Sequence, residues 1–489
     1  MLWLALHFRH LPLEVYTRGA RDAQAVAITS GTEPGAIVVD VNRAAQSRGV
    51  QAGMSVSAAC AIASGLRTVT RDAAKEHTTL KRIAAWALQF TPVVNIAEPS
   101  DALLEIEGSL KLFGGLNKLH AHITRALNEL GFDAAIACAP TPRAAQLFAR
   151  AGLAVRIQHR DALKQALAPL PAALLCEDNA TRTLLESFGA RTFCACLELP
   201  RDGLARRAGQ RLIDDMDRAL GLLPDPRKPF VPPQTWDVTL PLPAPVEHAE
   251  ALLFAARRLL TELCGWLAAT GQGTQCLYFE FAHDKQAPTR IALELATASR
   301  DADHLLSVLR ERLARVELPC AATEIGIACK RMAPLASHNL SFLPDARNET
   351  ESASRFIERL NARLGAEAVC SLAPWPDYRP ERAWRACPPS VRNTAGNAAT
   401  SYAPLHAPSR PLWLLTMPKP LREIDSQPHD PDNGPLSLIA GPERIEAGWW
   451  DGQSVSRDYF VARNTMQSLL WIYRERNPAA RWYMHGFFS

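Results

Sequence analysis

The stretch from Glu98 to Gly115, EPSDALLEIEGSLKLFGG, decides the fold. An acidic entry, Glu98 and Asp101, leads into an apolar run of Ala102, Leu103, Leu104 and Ile106, with Glu105 and Glu107 alternating through it. Alternation of period two predicts a β-strand with one buried face. Gly114-Gly115 predicts the turn that follows. Carboxylates at the entry of such a strand are where a metal-dependent enzyme can keep its ligands. The question is whether enough of them are present.

Working outward, the N-terminal MLWLALHFRH predicts a first strand rather than a signal or membrane segment. Residues 25–41 hold two apolar patches separated by Gly31, Pro34 and Gly35, a hairpin pattern. NRAAQSRGVQAG (42–53) reads as a helix closing on glycines, and 54–64 as a small-residue helix. Leu80, Ile83, Ala84, Ala87 and Leu88 form a helical stripe that ends before Pro92. Beyond the quoted stretch come an amphipathic helix (116–130), a strand (134–138) and a helix (143–151). Strands alternating with helices predict an α/β or α+β layer.

The character changes over 163–221, where short helices are punctuated by LLESFGA (184–190) and RRAGQRL (206–212). This suits a helix-hairpin-helix that offers backbone N–H groups to phosphates, or equally a small helical packing domain. Asp214, Asp215 and Asp217 are predicted to be a solvated face. LLPDPRKPFVP (222–232) is a linker by composition. Residues 234–332 then read strand, long helix, two strands, helix and strand, a compact α+β block. A helix over 349–364 has Ala353, Phe356, Ile357, Leu360 and Leu364 as its stripe, and 390–409 is polar, Ala/Pro-rich and expected to be mobile. Residues 439–489 predict a small antiparallel sheet whose aromatic residues serve mainly the core and in part a partner surface.

At 489 residues the chain calls for several domains. Its 47% hydrophobic and 21% charged residues are ordinary globular composition. A net charge of +4 advertises no general affinity for nucleic acid, so any basic face must be local. The 11 Cys lack a paired CxxC framework, with Cys194 and Cys196 the one close pair, and read as reduced thiols of a cytoplasmic protein.

Three stretches resemble the Y-family translesion DNA polymerases, and among them the ImuB branch, a polymerase-like subunit of a bacterial mutagenesis cassette. FTPVVNIAEPSDALLEIEGSLKLFGG (90–115) resembles the palm segment in which Ser-x-Asp-Glu leads into a strand and a Thr-Gly-Ser turn. NRAAQSRGVQAGM (42–54) resembles the fingers segment ending in Gly-Val-x-x-Gly-Met, and ACAPTPRAAQLFARAG (137–152) the segment that carries triphosphate-binding lysines. The resemblance covers roughly 1–335, with an ImuB-like tail beyond. It implies an α+β, multidomain right hand: palm 1–10 and 75–165, fingers 11–74, helix-hairpin-helix thumb 166–228, little finger 234–335, and a C-terminal partner-binding region 345–489.

Polymerase chemistry needs two magnesium ions held by carboxylates. By the resemblance, the first-strand Asp falls on Ala5 and the Asp-Glu pair on Ser100-Asp101, so one carboxylate of three remains. His7 is a poor magnesium ligand. A one-residue shift pairing Glu98 with Asp101 turns the strand's alternation onto the wrong face and leaves Ala5 unexplained. The fingers Tyr and Arg fall on Arg43 and Gln46, and the later lysines on Pro142 and Gln146. No metal or cofactor is therefore expected, magnesium entering only if the chain is an active, divergent polymerase.

The expected DNA contacts are Arg201, Arg206, Arg207 and Arg211 of the thumb, with Lys285, Arg290, Lys330 and Arg331 of the little finger. Asn339-Leu340-Ser341-Phe342-Leu343 resembles the Gln-Leu-x-Leu-Phe peptide of sliding-clamp ligands, with the last two apolar residues swapped. The resemblance implies a non-catalytic adaptor in damage-induced, error-prone translesion synthesis. Its implied partners are DNA, a sliding clamp, an ImuA-type RecA-like protein and an error-prone replicative-type polymerase subunit. An active divergent polymerase and a damage-recognition DNA-binding protein remain the alternatives.

Overall fold

The structure, a computed structural model, describes residues 1–18, 24–176, 178–335, 346–365, 367–388 and 410–488, with side chains described from 353 onward in the helix that starts at 346. In chain order the first unit contains β1 (Trp3–His7), α1 (Leu11–Thr17), β2 (Val26–Thr29), β3 (Val38–Val41), α2 (Arg43–Gln46), α3 (Val56–Ile62), β4 (Arg67–Thr70), α4 (Ala73–Ala87), β5 (Val94–Ala97), β6 (Asp101–Glu105), α5 (Leu116–Leu130), β7 (Ala135–Ala139) and α6 (Pro142–Arg150). The thumb helices follow: α7 (Leu163–Leu167), α8 (Asn179–Ser187), α9 (Phe193–Glu198), α10 (Arg201–Ala208) and α11 (Gln210–Leu220). The little finger is β8 (Trp236–Val246), α12 (Ala249–Ala269), β9 (Gln272–His283), β10 (Gln286–Ser299), α13 (Ala302–Leu313) and β11 (Ala322–Pro334). Two compact units result, 1–345 and 346–489.

The palm sheet runs β5-β6-β1-β7, antiparallel throughout. Strand alternation gives it two buried faces. Leu4, Leu6, Ala102 and Leu104 pack with Ile83 and Trp86 of α4 and Leu119, Ile123 and Leu127 of α5. Trp3, Ala5, Leu103 and Ala137 pack on the other side with Ala144, Ala145 and Phe148 of α6, in one core with Leu212, Ile213 and Met216 of the thumb. The quoted stretch is strand only to Glu105; Glu107–Ser109 form a 3-10 turn, because the Glu105 carboxylate accepts the Glu107 N–H at 3.2 Å and bends the chain there.

In the fingers β2 and β3 pair antiparallel, the expected hairpin, while β4 adds to β2 in parallel. Arg67–Thr70 is short and mostly exposed, so its strand depends on a partner far along the chain. The little-finger sheet is β10-β9-β11-β8, with α12 and α13 on one face.

The second unit begins with α14 (Ala346–Leu364), β12 (Ser371–Pro374) and β13 (Trp384–Cys387). It continues with β14 (Trp413–Pro420), β15 (Arg422–Ile424), β16 (Gln427–Asp430), β17 (Gly434–Pro435), β18 (Ser437–Ala447), β19 (Val455–Arg463), β20 (Leu469–Glu475) and β21 (Trp482–Phe487). The expected antiparallel sheet has five strands, β14-β21-β20-β19-β18. The stripe expected for α14 is corrected: Phe356 and Leu364 are exposed, and Ser354, Glu358 and Ala362 are buried. Among the described residues, no helix is long and apolar enough to cross a membrane.

Candidate functional site

The antiparallel register of β1 and β6 sets His7 opposite Asp101 and Ala5 opposite Leu103. All four side chains therefore point toward α6. Ala5, Ser100 and Asp101 come together here. Ala5 is fully buried in the apolar core described above. Ser100 gives its carbonyl to the Phe8 N–H at 2.9 Å, and its hydroxyl lies 3.5 Å from His7 Nδ1.

Asp101 is also fully buried, and both its oxygens are taken. Oδ1 lies 2.7 Å from His7 Nδ1. Oδ2 accepts Gln146 Nε2 at 2.8 Å and the Arg150 guanidinium, Nε at 2.8 Å and Nη2 at 2.6 Å. Burial alone would raise this carboxyl, but the His7 hydrogen bond, the Arg150 charge and the Gln146 amide hold it below the ordinary carboxylate value. Gln146 and Arg150 are one helical turn apart on α6, so they present to the same spot. Thr141 caps this helix, its hydroxyl accepting the Ala144 N–H at 3.3 Å, and Pro142 occupies the first turn.

A guanidinium thus stands against the one carboxylate expected to remain at this position. The donor set does not fit a two-magnesium site: one carboxylate is present, its companions are cations or amides, and Glu98 is an exposed partner of His77 at 3.0 Å. Among the described residues, no group of three or more His, Cys, Asp or Glu is arranged to hold a metal ion.

Arg43 and Gln46 lie exposed on α2, which Asn42 caps by accepting the Ala45 N–H at 3.0 Å. Nearby, His10 Nδ1 meets Asp40 Oδ1 at 2.9 Å, and that hydrogen bond raises the imidazole above its ordinary value.

In the thumb, the starts of α8 and α9 are closed by their own side chains: Asp178 accepts the Thr181 N–H at 2.7 Å and Thr192 the Ala195 N–H at 3.2 Å. The start of α11 has no side-chain cap. It follows Gly209, whose φ of 91° makes the turn from α10, and it lies between Arg206, Arg207 and Arg211. Arg206, Arg207 and Arg211 are exposed; the Arg207 guanidinium stands 5.4 Å from the Phe188 ring, and Arg201 is paired with Asp217. The acidic cluster expected to be a solvated face is corrected at Asp215, which holds Arg218 and the buried Arg143, each at 3.0 Å.

In the little finger, Lys285, Arg290, Lys330 and Arg331 are exposed. Arg290 and Lys330 share the open face of the sheet with four carboxylates, Asp237, Glu280, Glu294 and Glu324. Arg290 Nε donates to Glu280 at 2.6 Å, and Lys330 Nζ stands 4.9 Å from the Tyr278 ring centre. The clamp-type peptide 339–343 lies outside the described residues.

The second unit separates its aromatic residues into two sets. Tyr459, Trp471, Tyr473 and Trp482 are buried in the sheet, whereas Trp375, Tyr378, Trp384, Trp449 and Trp450 are exposed. The buried Arg379 ties the loops that carry several of the latter, pairing with both Asp377 and Asp451 at 2.6 Å.

An antiparallel palm-like sheet with one buried carboxylate held by an imidazole, an amide and a guanidinium is what these observations define. The sequence profile of the impB/mucB/samB family matches residues 17–150. The chain is similar along its length to Protein ImuB of Caulobacter vibrioides, in strains NA1000 / CB15N and CB 15, at 26% identity over 475 residues, covering 90% of this chain and all of the relative. Among solved structures it is similar to DinB from Sulfolobus solfataricus (14% identity, TM-score 0.40, 69% of this chain and all of that one). It is likewise similar to the insertion ternary complex of Dbh DNA polymerase (15% identity, TM-score 0.40, 69% of this chain and all of that one). Residues 17–150 thus match a Y-family polymerase family, and the chain along most of its length is similar to ImuB.

Proposed function

We propose that this protein is a non-catalytic, polymerase-like adaptor in error-prone translesion DNA synthesis. One observation carries the reading: the one carboxylate expected to remain of a metal site, Asp101, is hydrogen-bonded by His7 and Gln146 and ion-paired with Arg150. Asp101 Oδ2 is occupied by Gln146 and Arg150 and Oδ1 is engaged by His7, and among the described residues no neighbouring carboxylate adds the negative charge that two magnesium ions require. Primer extension on a primed template with magnesium or manganese tests this. No incorporation above a protein-free control is expected; template-directed incorporation would establish the active-polymerase reading instead.

DNA contact in this reading belongs to the thumb, where the uncapped start of α11 and its arginines offer N–H donors and charge to phosphates. An Arg206→Ala/Arg207→Ala variant is expected to bind a primed duplex about tenfold more weakly at low salt. The slope of log affinity against log salt should become shallower by about two, as two phosphate contacts are lost. An unchanged slope would move the DNA contact elsewhere.

The adaptor role adds a sliding clamp, held by the 339–343 peptide, and the ImuA-type and replicative-type polymerase partners. The exposed aromatic residues of the second unit support recruitment there, since exposed Trp and Tyr on a fixed frame are the side chains that anchor interfaces. Clamp pull-down with Leu340→Ala/Phe342→Ala is expected to lose the clamp; retained binding would remove this motif from the reading.

A further inference from the structure

We infer that the little finger is clasped to the palm as a fixed brace, closed with or without DNA, and is not an arm that swings on its linker. Relative motion is the default between domains of one chain unless their interface is large and apolar. Here the interface combines helix packing with one enclosed charge cluster. Helix α12 is buried along most of its length, packing on its own sheet and also on α4 and α5 of the palm. Gly265 marks the closest approach: a Cβ there would lie 2.5 Å from Trp86 Cδ1 and 2.7 Å from Gln89 Nε2.

Around this contact sits Glu262 of α12, whose side chain is 2% exposed. One oxygen pairs with Arg18, just beyond α1, and the other accepts Arg82 Nε of α4 at 2.9 Å. Arg18 also donates to the Leu130 carbonyl at 3.0 Å, and Arg258 of α12 donates to the Arg18 carbonyl. Deleting this carboxylate would leave two arginines enclosed without their partner, whereas separating the domains would return all three charges to water, so the cluster fixes the register of a contact that packing around Gly265 closes. The linker is pinned as well: Asn95 Nδ2 donates to the Lys228 carbonyl at 2.8 Å, and the Phe230 N–H to the Val94 carbonyl at 2.7 Å, both along β5.

The sheet presented by this brace is poorly suited to follow a phosphate backbone. Its open face carries Asp237, Glu280, Glu294 and Glu324 against Arg290, Lys330 and Arg331, and Arg290 and Lys330 already have partners within the sheet.

Hydrogen exchange on the full chain, with and without a primed DNA duplex, tests the clasp. In the wild type, α12 and α4 should stay protected when DNA is added. Glu262→Ala, and independently the steric wedge Gly265→Leu, should each speed exchange in α4, α12 and 228–233 at least tenfold while β9 and β11 keep their protection. That pattern would show two bodies held by a clasp. DNA-induced exposure of α4 and α12 in the wild type would overturn the proposal, since it would mean the arm swings. Loss of β9 and β11 protection in both variants would overturn it too, since palm and little finger would then be one folding unit. Unchanged exchange in both variants would show that these contacts do not hold the domains. The DNA reading is scored separately, by protection at α10 and α11.

Discussion

An Asp101→Ala variant is expected to lose about 2–4 kcal/mol of stability, below the full cost of breaking a dry ion pair because Arg150 is partly solvated. The carboxylate is the centre of a palm network: remove it and His7, Gln146 and Arg150 lose their common acceptor beneath a packed core. The direction discriminates between readings. Ligand carboxylates clustered for a metal repel one another, so truncating one tends to cost activity and leave stability unchanged or raised. Here truncation should lower the unfolding midpoint in urea. The pH dependence has the same origin. The Asp101 carboxyl is depressed in the folded state, so its stabilisation is fully present above the ordinary carboxylate range and is lost as pH falls through the folded value. An Asp101→Ala protein should therefore have a flatter acid limb. An apolar replacement of both partners, Asp101→Leu/Arg150→Met, should recover part of the loss, because no unpaired charge remains. A variant as stable as the wild type would show that the network is incidental to the palm.

The sequence made the scaffold of this site legible and left its new chemistry hidden. Alternation in residues 101–105 and the run 2–8 marked the two central strands, and the resemblance singled out Ala5 and Asp101 on them and Ser100 just before the second. The partners of Asp101 were harder to see. His7 reads as a poor ligand; its role as the partner of Asp101 follows only from a register between strands more than 90 residues apart. Arg150 reads as a basic residue in the last turn of a helix, where such residues are common. A signal was present: Pro142, Gln146 and Arg150 recur every fourth residue, so a helix that brings Gln146 to the site brings Arg150 too.

The thumb shows the same limit. The Gly209 turn and its arginines were visible as a motif, but Asp215, inside what looked like a solvated acidic face, anchors Arg143 across an interface that local sequence does not encode. In the little finger, element order was legible and the basic residues stood out individually. Their acidic neighbours come from four different strands, so the balance of charge on the open face emerged only once the sheet was assembled.

A second large effect is expected at Glu14, where the native protein keeps a strained carboxyl. Its Oε1 accepts the Asp133 N–H at 2.7 Å, but Oε2 is buried without a hydrogen-bond partner among the described residues. Burial, with the charges of Asp133 and Asp40, pushes the carboxyl up to about 7, against the Asp133 N–H and His10, which pull it down. A raised folded value means that the folded protein holds a proton which the unfolded chain has released. The resulting stabilisation is complete below about 4.5 and is lost as pH rises through about 7. At about 1.4 kcal/mol per pH unit, the loss by pH 8 approaches about 3 kcal/mol. Glu14→Gln keeps the acceptor for Asp133 and removes the charge. It should match the wild type within about 1 kcal/mol at pH 5 and exceed it by about 2–3 kcal/mol at pH 8 in urea unfolding. Parallel stability profiles for the two proteins between pH 5 and 8 would mean that Glu14 ionises freely in the fold, and that the burial of its second oxygen is relieved by solvent.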